Sequence, residues 1–167
     1  MPLFARHICL GWSLLPTLVT LTGACSGKQS NPAPAVATTG VSWTADNTAY
    51  TSTSATVTDD GFIMKVHGLY SANGTNYTMQ LSVPAAVGVY NTAAANVGAY
   101  FFMAYGISAG NSSVYYTASN AGGTGVGTVT VTSFSATDVA GTFSFTGTTA
   151  TGGSSKLITN GQFALKR

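Results

Sequence analysis

A chain of 167 residues favours one folded domain, and its 45% apolar content is enough for an ordinary core. Only 6% of the residues are charged, against roughly 25% in a typical soluble domain, and the formal net charge is +2. The chain therefore lacks both the basic patch that nucleic-acid binding requires and the high net charge of a disordered protein.

The first 24 residues have the parts of a secretory signal peptide. Arg6 and His7 form a short basic region, and residues 8–21 form an apolar stretch interrupted by Pro16. This stretch is shorter than the about 20 residues that a helix needs to cross a bilayer. The sequence therefore predicts a signal peptide over residues 1–24 rather than a membrane-spanning helix.

The stretch LTGAC, which ends at Cys25, resembles the bacterial lipobox. Thr22 stands where Leu is usual, and Gly23 stands where Ala or Ser is commoner. The resemblance implies cleavage after Ala24 and a lipid on the Cys25 thiol. It thus implies a protein anchored in the bacterial cell envelope, by default in the outer membrane because no acidic residue stands directly after Cys25. The alternative is an ordinary signal peptide that leaves Cys25 as a free thiol.

The cysteine count agrees with lipid attachment. Cys9 lies inside the predicted signal, so Cys25 would be the one cysteine of the mature chain, without an internal disulfide partner. Residues 25–40 are rich in Ser, Ala and Pro and have no hydrophobic period, which predicts a flexible tether. Residues 41–167 are predicted to form a single all-β domain.

From Val41 onward, apolar residues recur at every second position between turn residues. The alternation predicts an antiparallel β-sandwich or barrel-like domain of about eight to ten strands, since both architectures share this pattern. The sequences DDG at 59–61 and NG at 73–74 predict tight turns, and Pro84 is expected to end a strand. The predicted strands include Trp43 and then cover 55–58, 62–70, 77–83, 88–90, 100–105 and 113–117.

The run YFFMAY at 100–105 has no alternation. It predicts a strand that is covered on both faces or lies at a contact with a partner. The last third of the chain reads GTVTVTSFS at 127–135, GTFSFT at 141–146 and GQFAL at 161–165. These segments predict a C-terminal β-meander with turns at 136–140 and 150–155.

This C-terminal pattern, after a lipobox and a spacer, resembles a family of uncharacterised bacterial lipoproteins that share a domain of unknown function. The resemblance covers about residues 41–167 and is strongest over 125–165. Its motifs lie in core strands, so the resemblance implies a β-domain lipoprotein and brings no catalytic residues with it.

The side chains available for catalysis are few. Asp59 and Asp60 are adjacent, so they would face opposite sides of an extended segment, and turn positions explain them better. Asp46 and Asp138 also lie where turns are expected, and His67 is the one histidine after the signal. The chain has no Gly-x-Ser-x-Gly motif and no set of zinc ligands. We therefore expect no enzyme activity, no cofactor and no metal site.

Aromatic residues are the feature that points to binding. The chain has eight Tyr, and Tyr70, Tyr115 and Tyr116 lie near predicted strand ends, where they are candidates for stacking on a ligand ring. The alternative is that these side chains simply cover the sheet. The leading hypothesis is a membrane-anchored, non-catalytic binding or accessory lipoprotein for a glycan or another small ligand. The alternative hypothesis is a structural lipoprotein that docks an envelope protein through the 100–105 strand or a sheet edge.

Overall fold

The structure, a computed structural model, describes residues 39–93, 101–121 and 125–167. Within these ranges the chain is all β, with 74% strand and no helix, which confirms the predicted fold class. No helix long and apolar enough to cross a membrane occurs among these residues. The strands are β1 Gly40–Ala45, β2 Thr48–Thr51, β3 Ser54–Asp59, β4 Ile63–Ala72, β5 Thr75–Pro84, β6 Gly88–Asn91, β7 Phe102–Ala109, β8 Ser112–Ser119, β9 Val126–Phe134, β10 Asp138–Thr148 and β11 Ser155–Lys166.

All strand pairs in this part of the chain are antiparallel and belong to one sheet. The main path runs β2-β1-β11-β10-β8-β7-β5-β4-β3, while β9 pairs with β10 and β6 away from this path. Strands β9, β10 and β11 are consecutive neighbours, which confirms the predicted C-terminal meander. Its first turn is shorter than expected because residues 138–140 already belong to β10.

The described ranges contain eleven strands, and the predicted eight to ten missed a hairpin near the start. Asp46 and Asn47 both have positive φ, 45° and 67°, and they form the tight turn between β1 and β2. Asn73 and Gly74, at 51° and 74°, form the predicted turn between β4 and β5 in the same way. Pro84 is the last residue of β5, as expected.

The sheet is curled, and a short piece of chain joins β2 and β3, the two strands at the ends of its main path. Ser52 N–H donates to the Val41 carbonyl at 2.8 Å, and Thr53 N–H donates to the Leu69 carbonyl at 2.7 Å. The run from β2 into β3 is therefore bonded first to β1 and then to β4. This curl corresponds to the barrel-like alternative of the prediction.

The inward face of the curled sheet forms the core, and each strand contributes alternate apolar residues to it. The 100–105 run lies mostly in β7, which pairs with β5 along one edge and with β8 along the other. Met103, Ala104 and Tyr105 are buried in succession, so side chains on both faces of this part of β7 are covered. Tyr100 itself lies outside the described residues. The buried members of the core predicted from alternation are Met79, Leu81, Val83, Val129, Val131, Phe143, Phe145, Phe163 and Leu165.

The two ends of the sheet, called the upper and the lower end, differ in composition. The upper end holds the turns at 46–47, 73–74 and 110–111. The lower end holds the turns at 60–62 and 135–137 together with Arg167, whose Nη2 lies 2.6 Å from Asp59 Oδ2. The upper end contains most of the tyrosines, and the lower end contains most of the charges.

Candidate ligand-binding surface

An aromatic cluster occupies the upper end on the inward face of the sheet. It consists of three pairs of directly opposed residues on neighbouring strands: Trp43 with Tyr50, Tyr70 with Tyr77, and Tyr105 with Tyr116. Tyr50 is its centre, because its ring centroid lies 4.9–6.2 Å from those of Tyr77, Trp43, Tyr70 and Tyr105. Such ring pairs add to stability beyond the area that they bury.

The cluster has a buried floor and a half-buried rim. Trp43 and Tyr105 are each 1% exposed, while Tyr70 and Tyr116 belong to the rim. Burial, together with the neighbouring Tyr50 hydroxyl, raises the pKa of Tyr105 far above the usual range of a phenol. Burial therefore favours the neutral phenol of Tyr105 in the folded protein.

Lys156 extends this cluster on the inward face of β11. Its Nζ lies 5.8 Å from the Tyr116 ring centroid and pairs with the Asp46 carboxylate. The hydrogen bond to Asp46 raises the pKa of Lys156. Because the Tyr105 ring also stacks on Tyr116 at 6.3 Å, Tyr116 already has two neighbours on its ring. The rim thus closes the upper end of the core.

The three tyrosines predicted from the sequence do not share one site. Tyr70 and Tyr116 are brought into the aromatic cluster, whereas Tyr115 is on the outer face of β8 and is 46% exposed. Consecutive residues of a strand face opposite sides of the sheet, so this separation follows from strand geometry. That signal was available in the sequence, since Tyr115 and Tyr116 are adjacent.

The Tyr115 ring lies across the outer face of β7. A Cβ built on Gly106, the residue opposite it, would lie 2.7 Å from Tyr115 Cε1 and 3.0 Å from Cδ1. The same Cβ would also overlap Thr78 Oγ1, which is buried and has no hydrogen-bond partner. The missing side chain at Gly106 thus lets the ring rest on the sheet, with about half of Tyr115 still open to solvent.

Among the described residues, the outer face around Tyr115 carries no Asp, Glu, Lys or Arg, and His67 lies on this face opposite Gln80. The charged side chains of these residues lie at the ends of the sheet: Asp46 and Lys156 at the upper end, and Asp59, Asp60, Lys65, Asp138, Lys166 and Arg167 at the lower end. Between them, the outer positions of β5 and β8 are hydroxyls and amides, among them Asn76, Gln80 and Thr117. A typical surface is about a quarter to a third charged, so this face is unusual.

A hollow lies elsewhere, on the outer face of β9, β10 and β11. It has a volume of about 510 Å³ and lies between the exposed side chains of Val126 and Leu157. A neighbouring hollow of about 260 Å³ is lined by hydroxyls and amides that include Thr130 and Gln162. No charged side chain among the described residues lines either hollow, and the sequence patterns did not point to them.

The acidic residues act as turn residues, as the sequence predicted. Asp60 Oδ1 accepts hydrogen bonds from the N–H groups of Ile63 and Phe62 at 2.8 and 3.0 Å, and these bonds lower the pKa of the Asp60 carboxyl. Asp59 Oδ1 accepts from the N–H of Gly61 at 3.2 Å. Within 39–93, 101–121 and 125–167, no three His, Cys, Asp or Glu side chains come together. Cys25, the predicted lipid attachment site, lies outside these ranges.

Comparisons of the chain with protein-family models, with curated proteins and with solved structures found no match. The likeness of the C-terminal strands to a lipoprotein family therefore stays a prediction, and the case for function depends on the residues themselves.

Proposed function

We propose that this chain is a lipid-anchored, non-catalytic binding protein of the bacterial cell envelope. Its ligand would be a neutral glycan that stacks on Tyr115. The observation that supports this proposal is the half-exposed Tyr115 ring on an outer face without Asp, Glu, Lys or Arg around it. The anchor would be the lipid on Cys25 predicted from the lipobox resemblance.

The chemistry of that face suits a sugar better than an ion. A sugar ring offers an apolar C–H face, which an aromatic ring can cover, and hydroxyls, which bond to neighbouring polar groups. The amide of Gln80 and the hydroxyls of Thr117 and Ser113 lie on the same side of the sheet as Tyr115. A charged ligand would lose its hydration there without meeting an opposite charge.

Replacement of Tyr115 tests the proposal. Tyr115→Ala is expected to weaken binding of a neutral oligosaccharide about tenfold, because it removes the stacking surface. Tyr115→Phe keeps the ring and is expected to stay within about threefold of the wild type. Isothermal titration of a panel of neutral oligosaccharides against the purified protein measures both effects. Because Tyr115 is half exposed, neither substitution should change the fold of the domain.

Tyr116→Phe is the matched control, since it alters the adjacent residue on the opposite face. It is expected to bind the panel like the wild type. Unchanged binding in Tyr115→Ala would contradict the proposed surface. Loss of binding in Tyr70→Ala together with unchanged binding in Tyr115→Ala would locate the ligand at the aromatic cluster instead.

A second function, docking of an envelope protein at a sheet edge, is favoured by β6. Among the described residues, β9 is its one ladder partner, and Val89 is 67% exposed there. The 100–105 strand is a poorer candidate because β7 is paired on both sides. Crosslinking on intact membranes distinguishes the two functions: recovery of one stoichiometric partner, lost in Val89→Lys, would support docking.

A further inference from the structure

The lower end of the sheet exposes large apolar side chains. Phe62, in the turn between β3 and β4, is 83% exposed. Its carbonyl accepts a hydrogen bond from Ala85 N–H at 2.9 Å, and this bond holds the turn after β5 beside it. Val87, in that second turn, is 62% exposed. Two adjacent turns thus expose apolar side chains at the same end of the sheet.

Thr39, the first described residue, lies at this same lower end. Thr39 lines a hollow of about 230 Å³ together with Leu165 and Lys166, and Gly40 pairs with Ala164 on β11. The next residue after Lys166 is Arg167, which pairs with Asp59 at the start of the Phe62 turn. The predicted tether therefore joins the domain at the end that carries Phe62.

We propose that the lower end faces the lipid bilayer and that Phe62 inserts into its interfacial region. This inference rests on the proposed lipid anchor at Cys25. Residues 25–39 can span at most about 50 Å even when fully extended. A tether of that length keeps the domain at a millimolar effective concentration near the membrane, so one aromatic side chain with a neighbouring valine is enough for contact.

Because the charges of the lower end cancel, we expect this contact to be apolar rather than electrostatic. Three acidic side chains there are matched by three basic ones, and two of the pairs, Arg167 with Asp59 and Lys166 with Asp138, are ion pairs. An end without net charge has no preference for anionic lipid. We therefore expect the same insertion into zwitterionic and anionic vesicles, and little dependence on salt.

A tryptophan placed at the lower or at the upper end of the sheet tests the orientation of the domain. Both variants are made in the full lipidated chain. Phe62→Trp reports on the lower end. Val114→Trp is the matched control, since Val114 is 44% exposed and lies near the turn at 110–111 of the upper end. Trp43 is 1% exposed and supplies the same background signal in both variants. Each variant is reconstituted into phosphatidylcholine vesicles, with and without brominated lipid and with and without phosphatidylglycerol.

The expected result is a blue shift of the Phe62→Trp emission and its quenching by brominated lipid, in both vesicle types, with neither change in Val114→Trp. An unchanged Phe62→Trp emission in protein that sediments with vesicles would overturn the inference and leave the lipid anchor intact. Equal quenching of both variants, or a blue shift confined to vesicles that contain phosphatidylglycerol, would also overturn it. Failure of the wild-type chain to sediment with vesicles would instead refute the anchor, and the inference with it.

Discussion

Gly161→Ala is expected to lower the melting temperature by roughly 5–15 °C, since overpacking a core costs about 1–3 kcal/mol. A Cβ at this position would lie 2.5 Å from Phe143 Cε2 and would overlap the Phe143 carbonyl as well. Real Cβ atoms do not approach so closely, so either the ring or the strand would have to move. Both belong to the interior, where little free space is available.

The arrangement is reciprocal, which explains the Gly-x-Phe pattern of β10 and β11. Phe143 is directly opposite Gly161, and Phe163 is directly opposite Gly141. A Cβ on Gly141 would lie 2.5 Å from Phe163 Cζ. Each phenylalanine therefore covers the glycine of the other strand, and Gly141→Ala is expected to cost about as much as Gly161→Ala.

Gly153→Ala is the control for this prediction. Gly153 lies in the exposed turn between β10 and β11, and the nearest atom to a Cβ there is Thr151 Oγ1 at 3.7 Å. This variant should melt within about 2 °C of the wild type, as surface substitutions usually do. Thermal unfolding followed by circular dichroism compares the three variants. Equal melting temperatures in all of them would show that the packing of each phenylalanine over the opposite glycine does not contribute to stability.

Stability is expected to fall steeply above pH 10 because of Tyr105. Its folded pKa is raised by burial, whereas an unfolded tyrosine ionises near pH 10. A raised folded pKa gives stability that is complete below the unfolded pKa and is lost as the pH rises above it. One such group costs about 1.4 kcal/mol of unfolding free energy for each pH unit above 10.

Tyr105→Phe is expected to remove this part of the alkaline loss. The ion pair of Lys156 with Asp46 also weakens above the lysine's ordinary pKa, but it remains in the variant, so the difference isolates Tyr105. Urea unfolding at pH 8, 10 and 11 measures the two free-energy curves. If wild type and variant lose the same free energy between pH 8 and 11, the buried phenol is not the cause.

Alternation of apolar residues was enough to predict most of the strands and many of their inward positions. Val129, Val131, Phe143 and Phe145 are all buried, as the period of two requires. The turns at 59–61 and 73–74 follow from residues that accept the required backbone angles. These features are local, so short stretches of sequence determine them.

The order of strands across the sheet could not be obtained in this way. β8 meets β10 through one residue pair, Thr117 with Thr148, and nothing in either stretch specifies that partner. The inward position of Lys156 also depends on a register shift in β11 near Asn160, which has φ 51°. Without that shift, alternation from Phe163 would put Ile158 outside and Leu157 in the core.

The candidate site was predicted only in part for the same reason. Tyr70, Tyr115 and Tyr116 were grouped by residue type, but strand geometry puts Tyr115 on the other face. The remaining members of the aromatic cluster come from strands that are distant in sequence, as Tyr50 and Tyr105 illustrate. The outer position of Tyr115 over Gly106 depends on the pairing of β7 with β8.

Thermal unfolding of the protein across a panel of neutral glycans, anionic glycans and metal ions tests whether it binds a neutral glycan. A ligand at about a hundred times its dissociation constant adds about 2.7 kcal/mol to the unfolding free energy, a rise of roughly 5–15 °C for a domain of this size. We predict such a rise with one class of neutral glycan, and its loss in Tyr115→Ala. A cooperative transition that no neutral glycan shifts, or one that only anionic ligands raise, would contradict the claim.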